Sequence, residues 1–477
     1  MRKFELKSAD SVFFRRVRGL RGRASWRVVV AVALVAVALG VVSPRAQEYF
    51  QSGLPVSFQG QRFGSQSSTG SPHDDFSSLQ NNLPYIPPSS PVSRGDTSFR
   101  YGNLSGSLYA GLDSRYTDNV LLTHTDQESD LILAPRIGLG LSYTPSKSTQ
   151  IGLDLGVGYN FYINHSELNF LNAGLTPNSV LNYRVVAGNV MIVAYDRFTA
   201  PNDNRTRPEV VTTPGATALA SSQQIDNTLG TTASWAINED LVLVGGYGFE
   251  ITRNYSGQFS DQDRDTHLLN SSLEKRFGPV WSAGVYGRYS ISDFLEEVQN
   301  DATTWSTGPI LSFQPFKNLQ CSASVGYSAS KFDVGTSPTS IQDNSEFGGL
   351  TYEATVSHQF SRRMHHHLSI SRSTDLGLGS NYTENQGVTY GIIAPEVIRR
   401  VGLSGGISWI NYVQSAAVTE STIKDSGDTL RLYLGANYPF SRHVTGVMGL
   451  AHNRRSSDIE VGNYNETTVH LSVSYRF

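Results

Sequence analysis

The last nine residues constrain the chain more than any other stretch. Val469, Leu471, Val473, Tyr475 and Phe477 take every second position, and His470, Ser472, Ser474 and Arg476 take the positions between. A period of two puts each set on its own face of a β-strand. Chain ends are ordinarily polar and frayed, so an alternating strand that ends on Phe needs a setting in which an aromatic terminus is useful.

The same alternation fills the chain from about Leu104. Leu104, Leu108 and Leu112 alternate with Ser105, Tyr109 and Asp113. Ile137, Leu139 and Leu141 alternate with Arg136, Gly138 and Gly140. Ile151, Leu153 and Leu155 alternate with Gly152, Asp154 and Gly156, and Leu319, Cys321 and Val325 with Gln320, Ser322 and Gly326. One face is apolar; the other is Ser, Gly, Asn and charge. A soluble β-sandwich alternates in the same way, so the choice between sandwich and barrel needs a second feature.

That feature is a weak repeat of about 40 residues. Short turns recur behind an apolar, usually aromatic, residue: Ile237 before Asn238, Phe277 before Gly278, Phe316 before Lys317, Phe360 before Ser361, Ile398 before Arg399, Phe440 before Ser441, with Phe477 closing the series. Earlier turn signals fall at Thr144-Pro145-Ser146 and Ala187-Gly188-Asn189. Between them lie long polar stretches at 201–224, 256–265, 335–346, 380–386 and 414–427. Tight turns on one rim, long loops on the other and aromatics at the tight-turn rim match a transmembrane barrel. A sandwich has no reason to segregate loop lengths. The reading is an all-β fold: one transmembrane antiparallel up-and-down β-barrel over 100–477, with about 18 strands in a range of about 16 to 20. An even count puts both termini at the short-turn, periplasmic side, with long loops extracellular. A terminal aromatic on such a strand resembles the closing strand of bacterial outer-membrane barrels. That resemblance implies that Tyr475 and Phe477 are the signal read by the barrel-assembly machinery.

The N-terminus reads as a targeting segment. Six arginines (Arg15, Arg16, Arg18, Arg21, Arg23, Arg27) precede an apolar run at 28–42, too short for a membrane-spanning helix and typical of a signal peptide. Cleavage is expected near Ala46, although Pro44-Arg45-Ala46 is a poor cleavage motif; an uncleaved anchor is the alternative. Residues 1–46 hold ten basic and two acidic residues, so the formal charge of −3 for the chain becomes −11 beyond them, which argues against nucleic acid as partner. Residues 47–99, rich in Ser, Pro and Gln, form a periplasmic linker or a short plug of the lumen. The single cysteine, Cys321, excludes an internal disulfide and a cysteine metal cluster.

Gly111-Leu112-Asp113-Ser114-Arg115-Tyr116-Thr117-Asp118-Asn119-Val120, the acidic loop after it (Asp126, Glu128, Asp130) and the strand ending in Leu141-Ser142-Tyr143 resemble the first hairpin of the β-barrel porin 2 family. The resemblance implies an outer-membrane barrel of the type associated with exopolysaccharide export loci.

In this register Asp113, Arg115, Arg136, Asp154, Arg184, Glu250, Glu274, Arg276, Arg288, Glu353 and Arg476 face inward as candidate pore-lining residues. Fixed charges there either set ion selectivity or neutralise one another and hold the lumen shut. Two His-x-Ser pairs, His367/Ser369 and His470/Ser472, put an imidazole and a hydroxyl on one face. That arrangement resembles outer-membrane phospholipase, whose pair faces lipid; here both pairs fall on the lumen face. His365-His366-His367 offers alternate imidazoles for a metal, but no carboxylate accompanies them and a solvated basic rim is the plainer reading. Asp261, Asp263, Asp265 and His267 lie at the height an omptin-like protease would need. The acidic loop Asp126–Asp130 is a candidate weak divalent-cation site. The expectation is a non-enzyme without cofactor: a porin-like channel for polar solutes or a polysaccharide. The alternatives are a closed scaffold barrel serving an exopolysaccharide machine, and an outer-membrane lipase or protease. Expected partners are outer-membrane lipid and lipopolysaccharide, the assembly machinery, and polysaccharide or export proteins.

Overall fold

A computed structural model describes residues 98–477 apart from 174–179, 200–223, 255–256, 336–342, 362, 378–379, 399 and 416–424. The expected signal peptide and almost all of the 47–99 segment lie outside the described residues.

The chain is strand after strand: β1 (Phe99–Tyr101), β2 (Leu104–Thr117), β3 (Asp130–Ser146), β4 (Thr149–Tyr162), β5 (Phe170–Ala173), β6 (Val180–Ala187), β7 (Val190–Thr199), β8 (Gln224–Ala236), β9 (Leu241–Asn254) and β10 (Arg264–Arg276). Then come β11 (Trp281–Phe294), β12 (Asp301–Phe316), β13 (Leu319–Asp333), β14 (Phe347–Ser361), β15 (Met364–Leu376), β16 (Tyr382–Ile398), β17 (Val401–Gln414), β18 (Ser426–Pro439), β19 (Val444–Ser457) and β20 (Tyr464–Arg476). Neighbours in sequence pair antiparallel. β5 and β6 pair with the two halves of β4 and together make one interrupted stave. β20 returns to β2, from Tyr109↔Arg476 to Thr117↔Thr468, and closes the wall. The result is a closed antiparallel barrel of 18 strands, which removes every long sheet edge.

Below the point where β20 ends, β1 takes its place beside β2. The Phe477 amide donates to the Leu108 carbonyl at 3.0 Å, and Ser98 N–H to Gly106 at 2.8 Å. Both ends of the described wall therefore meet on one strand, at the short-turn end.

Loop lengths segregate as expected. Connections of two to four residues lie at one end, and connections of 5 to 24 residues at the other. Gly188 (φ 59°) and Gly278 (φ 113°) supply left-handed backbone that tight turns need. Two expected boundaries move by more than two residues. The first turn is at 147–148, not 144–146, because an irregularity between Tyr143 and Ser146 absorbs Pro145 and lets β3 run on. The loop expected at 380–386 is only 377–381; residues 383–386 are paired on both sides, within β16.

The two faces invert the pattern of a soluble protein. On β20, Leu471 and Val473 are each 52% exposed, whereas His470 and Ser472 are 5% and 4% exposed. The same holds around the wall: Ile137, Leu155, Val285, Tyr327, Leu350, Ile407 and Leu434 are exposed, while Asp113, Asn182, Thr228, Glu250, Ser272, Ser312 and Ser328 are buried. Phe277, Phe316, Phe360, Phe440, Tyr475 and Phe477 are exposed aromatics at or beside the short-turn rim. Cys321 shares the outward parity of Val325 and Tyr327. No helix among the described residues is long and apolar enough to cross a membrane.

Glycines on the inner face make room for tyrosines. A Cβ on Gly138 would fall 1.9 Å from Tyr109 Cζ, and one on Gly230 or Gly406 would fall 2.4 Å from the hydroxyls of Tyr195 and Tyr433. Each ring lies along the wall instead of projecting into the lumen. Gly138→Val displaces Tyr109 and is expected to destabilise the barrel by about 1–3 kcal/mol. The check is the urea midpoint of the folded barrel by gel mobility. The added substitution Tyr109→Ser is expected to restore it, and a midpoint unchanged by Gly138→Val would contradict this account.

Candidate functional site

The inner wall and its long-loop mouth hold most of the buried chemistry. Strand pairing sets every inward position, because residues directly opposite share a face. All eleven candidate pore-lining residues share the parity of buried inward neighbours. Asp113, Arg115, Glu250 and Glu274 are buried. Arg136, Asp154, Arg184, Arg276 and Glu353 are half-buried, and Arg288 and Arg476 are exposed.

These charges come in groups. Arg136 Nε lies 3.1 Å from Asp113 Oδ2, and His470 Nε2 is 3.6 Å from the other carboxylate oxygen. Arg136 Nη2 also donates to Ser472 at 3.4 Å. Glu250 pairs with Arg264 at 4.0 Å. Glu274 accepts a short hydrogen bond from Ser282, and the Arg288 guanidinium sits 5.2 Å from the Tyr286 ring centre. Sequence reasoning missed a second set in the same register. Arg431 Nε donates to Asn453 at 2.9 Å, Asn453 to Glu466 at 3.0 Å and Thr117 to Glu466 at 2.8 Å. Above them Arg455 Nη2 bonds Asp425 at 2.9 Å and the Tyr412 hydroxyl at 2.8 Å, with its guanidinium stacked 4.7 Å from the Tyr412 ring centre. The parity that places His470 and Arg476 inward also places Glu466, so the signal was present.

The long loops are tied to one another. The Asp343 carboxylate accepts from Ser345 N–H (2.8 Å), Asn381 N–H (2.9 Å) and Ser415 Oγ (2.6 Å). Asn300 donates to Asn381 Oδ1 (2.8 Å) and to the Asp343 carbonyl (3.1 Å). Asn300, Asp343, Asn381 and Ser415 are all buried. They belong to four different long loops, so this knot joins the strand tops from β12 to β17. Groups four strands apart touch only on the concave side of a closed wall, so these four residues sit on the inner side of the mouth.

A second tie sits across the first hairpin. Asp130 accepts from the backbone N–H of Leu131, Ile163, Asn164 and His165, and its Oδ2 lies 2.9 Å from His165 Nδ1. His165 Nε2 lies 2.8 Å from Glu128. Val120, Ile132 and Tyr162 pack beneath with Leu121 and Leu168, and Asn119 holds the loop by accepting from Thr123 N–H (2.9 Å) and donating to the Asn465 carbonyl (2.9 Å). The acidic loop is thus a latch: both Asp130 oxygens are filled by donors and offer a divalent cation no open ligand. Burial pulls the His165 pKa down, but the hydrogen bonds and charges of Asp130 and Glu128 outweigh it and leave it raised. A raised folded pKa means the stabilisation is full below the unfolded value of about 6.5 and is lost as pH rises through the folded value. Amide exchange at 118–129, corrected for intrinsic rate, is expected to be faster at high pH than near neutrality. His165→Ala should remove that difference; equal protection at both pH values in the wild type would contradict the latch.

The other candidates do not assemble. Asp265 and His267 face outward: Asp265 pairs with Arg253 at 2.6 Å, and His267 bonds the Tyr247 hydroxyl at 2.8 Å. Asp263 instead accepts from Asn254 N–H at 2.7 Å, so no protease-like cluster forms with Asp261. His365 and His367 point inward but His366 points outward, stacked on His358 and bonded to Tyr390 at 2.6 Å. Among the described residues no group of three His, Cys, Asp or Glu side chains is placed to hold a metal ion. Both His-x-Ser pairs lie on the inward face, as expected.

No protein-family model matches the sequence, and no curated protein matches it. Among solved structures the chain is similar to Pseudomonas aeruginosa OccK2 (OpdF), at 14% identity over 79% of this chain and 98% of that one, with a TM-score of 0.46. It is also similar to the outer membrane protein opdK of Pseudomonas aeruginosa (13%, 78% and 99%, TM-score 0.43) and to Acinetobacter baumannii OccAB3 (11%, 78% and 99%, TM-score 0.44).

Proposed function

We propose that this protein is an outer-membrane channel for small polar solutes, with its short turns and both chain ends periplasmic and its long loops outside the cell. The observation that carries this reading is the inversion of its faces. A closed wall of 18 strands bearing exposed Leu, Val and aromatic side chains outside and Ser, Asn and paired charges inside is stable only with its outer face in lipid. A wall of that size leaves an aqueous lumen. The two exposed members of the pore-lining set, Arg288 and Arg476, are both cationic, which favours anions over cations. Tyr475 and Phe477 serve as the assembly signal in this reading. Passage of a polysaccharide, and membership of an export machine, rest on the resemblance of the first hairpin alone. The knot at Asp343 favours a narrowed mouth, and hence small solutes over a polymer.

Swelling of proteoliposomes in neutral and anionic sugars of rising size tests the proposal. Swelling is expected with monosaccharides, faster for anionic ones at equal size, and is expected to fall away with longer chains. No swelling with any sugar, from protein shown to be folded, would favour the closed scaffold.

A further inference from the structure

The short-turn rim is basic along one arc only. The turns that join β12 to β13, β14 to β15, β16 to β17 and β18 to β19 contain six Lys or Arg and no Asp or Glu. The turns on the other side of the barrel, at 147–148, 188–189, 237–240 and 277–280, contain one Lys, one Glu and one Asp. A rim that needs only to be wetted has no reason to gather its positive charge on one side.

Within the arc, part of the chemistry faces sideways out of the wall. His358 and His366 stand opposite one another on β14 and β15, stacked with ring centres 6.0 Å apart and planes 22° apart. Phe360 meets both rings edge-on at 5.9 Å and is 67% exposed. The Tyr390 hydroxyl lies 2.6 Å from His366 Nδ1. A hydroxyl donating to Nδ1 fixes the tautomer that carries its proton on Nε2, and that N–H is left for another acceptor. Arg363 is exposed three residues before His366, and its long side chain reaches up along the wall. Directly above the imidazole pair the next outward pair is Val356 and Leu368.

The order from the turn upward is therefore guanidinium, imidazoles among aromatic rings, then aliphatic wall. Aromatic girdles mark the level at which head groups meet acyl chains. Nitrogen donors at that level suit a phosphate, and the aliphatic wall above suits a chain attached to it. An acidic protein approaching from below would meet the turns but not the sideways pair.

We propose that this arc binds anionic phospholipid, with a head-group phosphate held by His358, His366 and Arg363. The assignment rests on the outer face lying in lipid, as in the channel reading, and not on conduction. The test is native mass spectrometry of the full chain, folded in detergent and titrated with phosphatidylglycerol or phosphatidylcholine. Phosphatidylglycerol is expected to bind about tenfold more tightly. Arg363→Gln should shrink that preference about fivefold. His358→Phe with His366→Phe keeps the rings, removes the N–H donors and should weaken phosphatidylglycerol binding about tenfold. Lys275→Gln, which removes the cation 5.4 Å from the Phe277 ring centre outside the arc, should change neither. Each variant is compared as folded barrel by gel mobility. Equal binding of the two lipids by the wild type, or undiminished binding by the double variant, overturns the site. Displacement of the lipid by an equal concentration of glycerol 3-phosphate overturns it in favour of a soluble phosphate. No lipid preference, with polyglutamate binding that Arg363→Gln weakens, overturns it in favour of an acidic protein partner. Folded protein that enters no bilayer overturns the membrane reading itself, whereas inserted protein without the preference overturns this assignment alone.

Discussion

Leu434→Arg is expected to destabilise the folded protein in bilayers by about 2–4 kcal/mol, the penalty for a guanidinium on the lipid face of a barrel near mid-membrane. Leu434 lies well inside β18, outward, and is 64% exposed. In a water-soluble protein a leucine that exposed tolerates Arg with little change. The substitution therefore separates the two settings sharply. The check is reversible urea unfolding in lipid vesicles followed by tryptophan fluorescence, beside Ser408→Arg on the same wall, where the side chain meets the lumen and a small change is expected. Equal effects of the two substitutions would sink the assignment of faces.

Arg455→Met carries the other large effect. Arg455 and Asp425 are both fully buried, 2.9 Å apart, with Tyr412 and Ser457 completing the cluster. Removing the guanidinium leaves the Asp425 carboxylate buried without its counter-charge, a loss of about 3–5 kcal/mol. The pair joins the β17–β18 loop to β19, so the loss is expected first as faster amide exchange at that end. Arg455→Met with Asp425→Asn removes both charges and should recover most of the stability. A single variant as stable as wild type, or a double variant no better than the single, would show that the pair is not the support described.

What the sequence allowed to be read, and what it did not, follows from how local each constraint is. Strand register depends on a period of two within a dozen residues, so Asp113, Arg136, Glu250 and Arg476 could be placed from sequence. Tight turns announce themselves by Gly, Asn and a preceding aromatic, which is why nine hairpin ends gave the correct strand number. Asp343, Asn300, Asn381 and Ser415 carry no such sign. They are common loop residues that meet only after four hairpins have been set side by side. The same is true of His165, which lies 35 residues from Asp130 along the chain and becomes its partner through the pairing of β3 with β4. Asp118-Asn119-Val120 stands out as a motif, but its role as a loop tie to β20 depends on the closing strand. The break between β5 and β6 was invisible for another reason: period-two patterns tolerate an interruption without changing on either side.

The proposed channel requires a water-filled path across a membrane inside the closed wall. The most direct measurement is single-channel conductance of the full chain, folded and inserted in a planar bilayer. Discrete, ohmic steps with a reversal potential favouring anions in a salt gradient are the expected result. Bilayers that hold folded, inserted protein and stay silent at every voltage would contradict it.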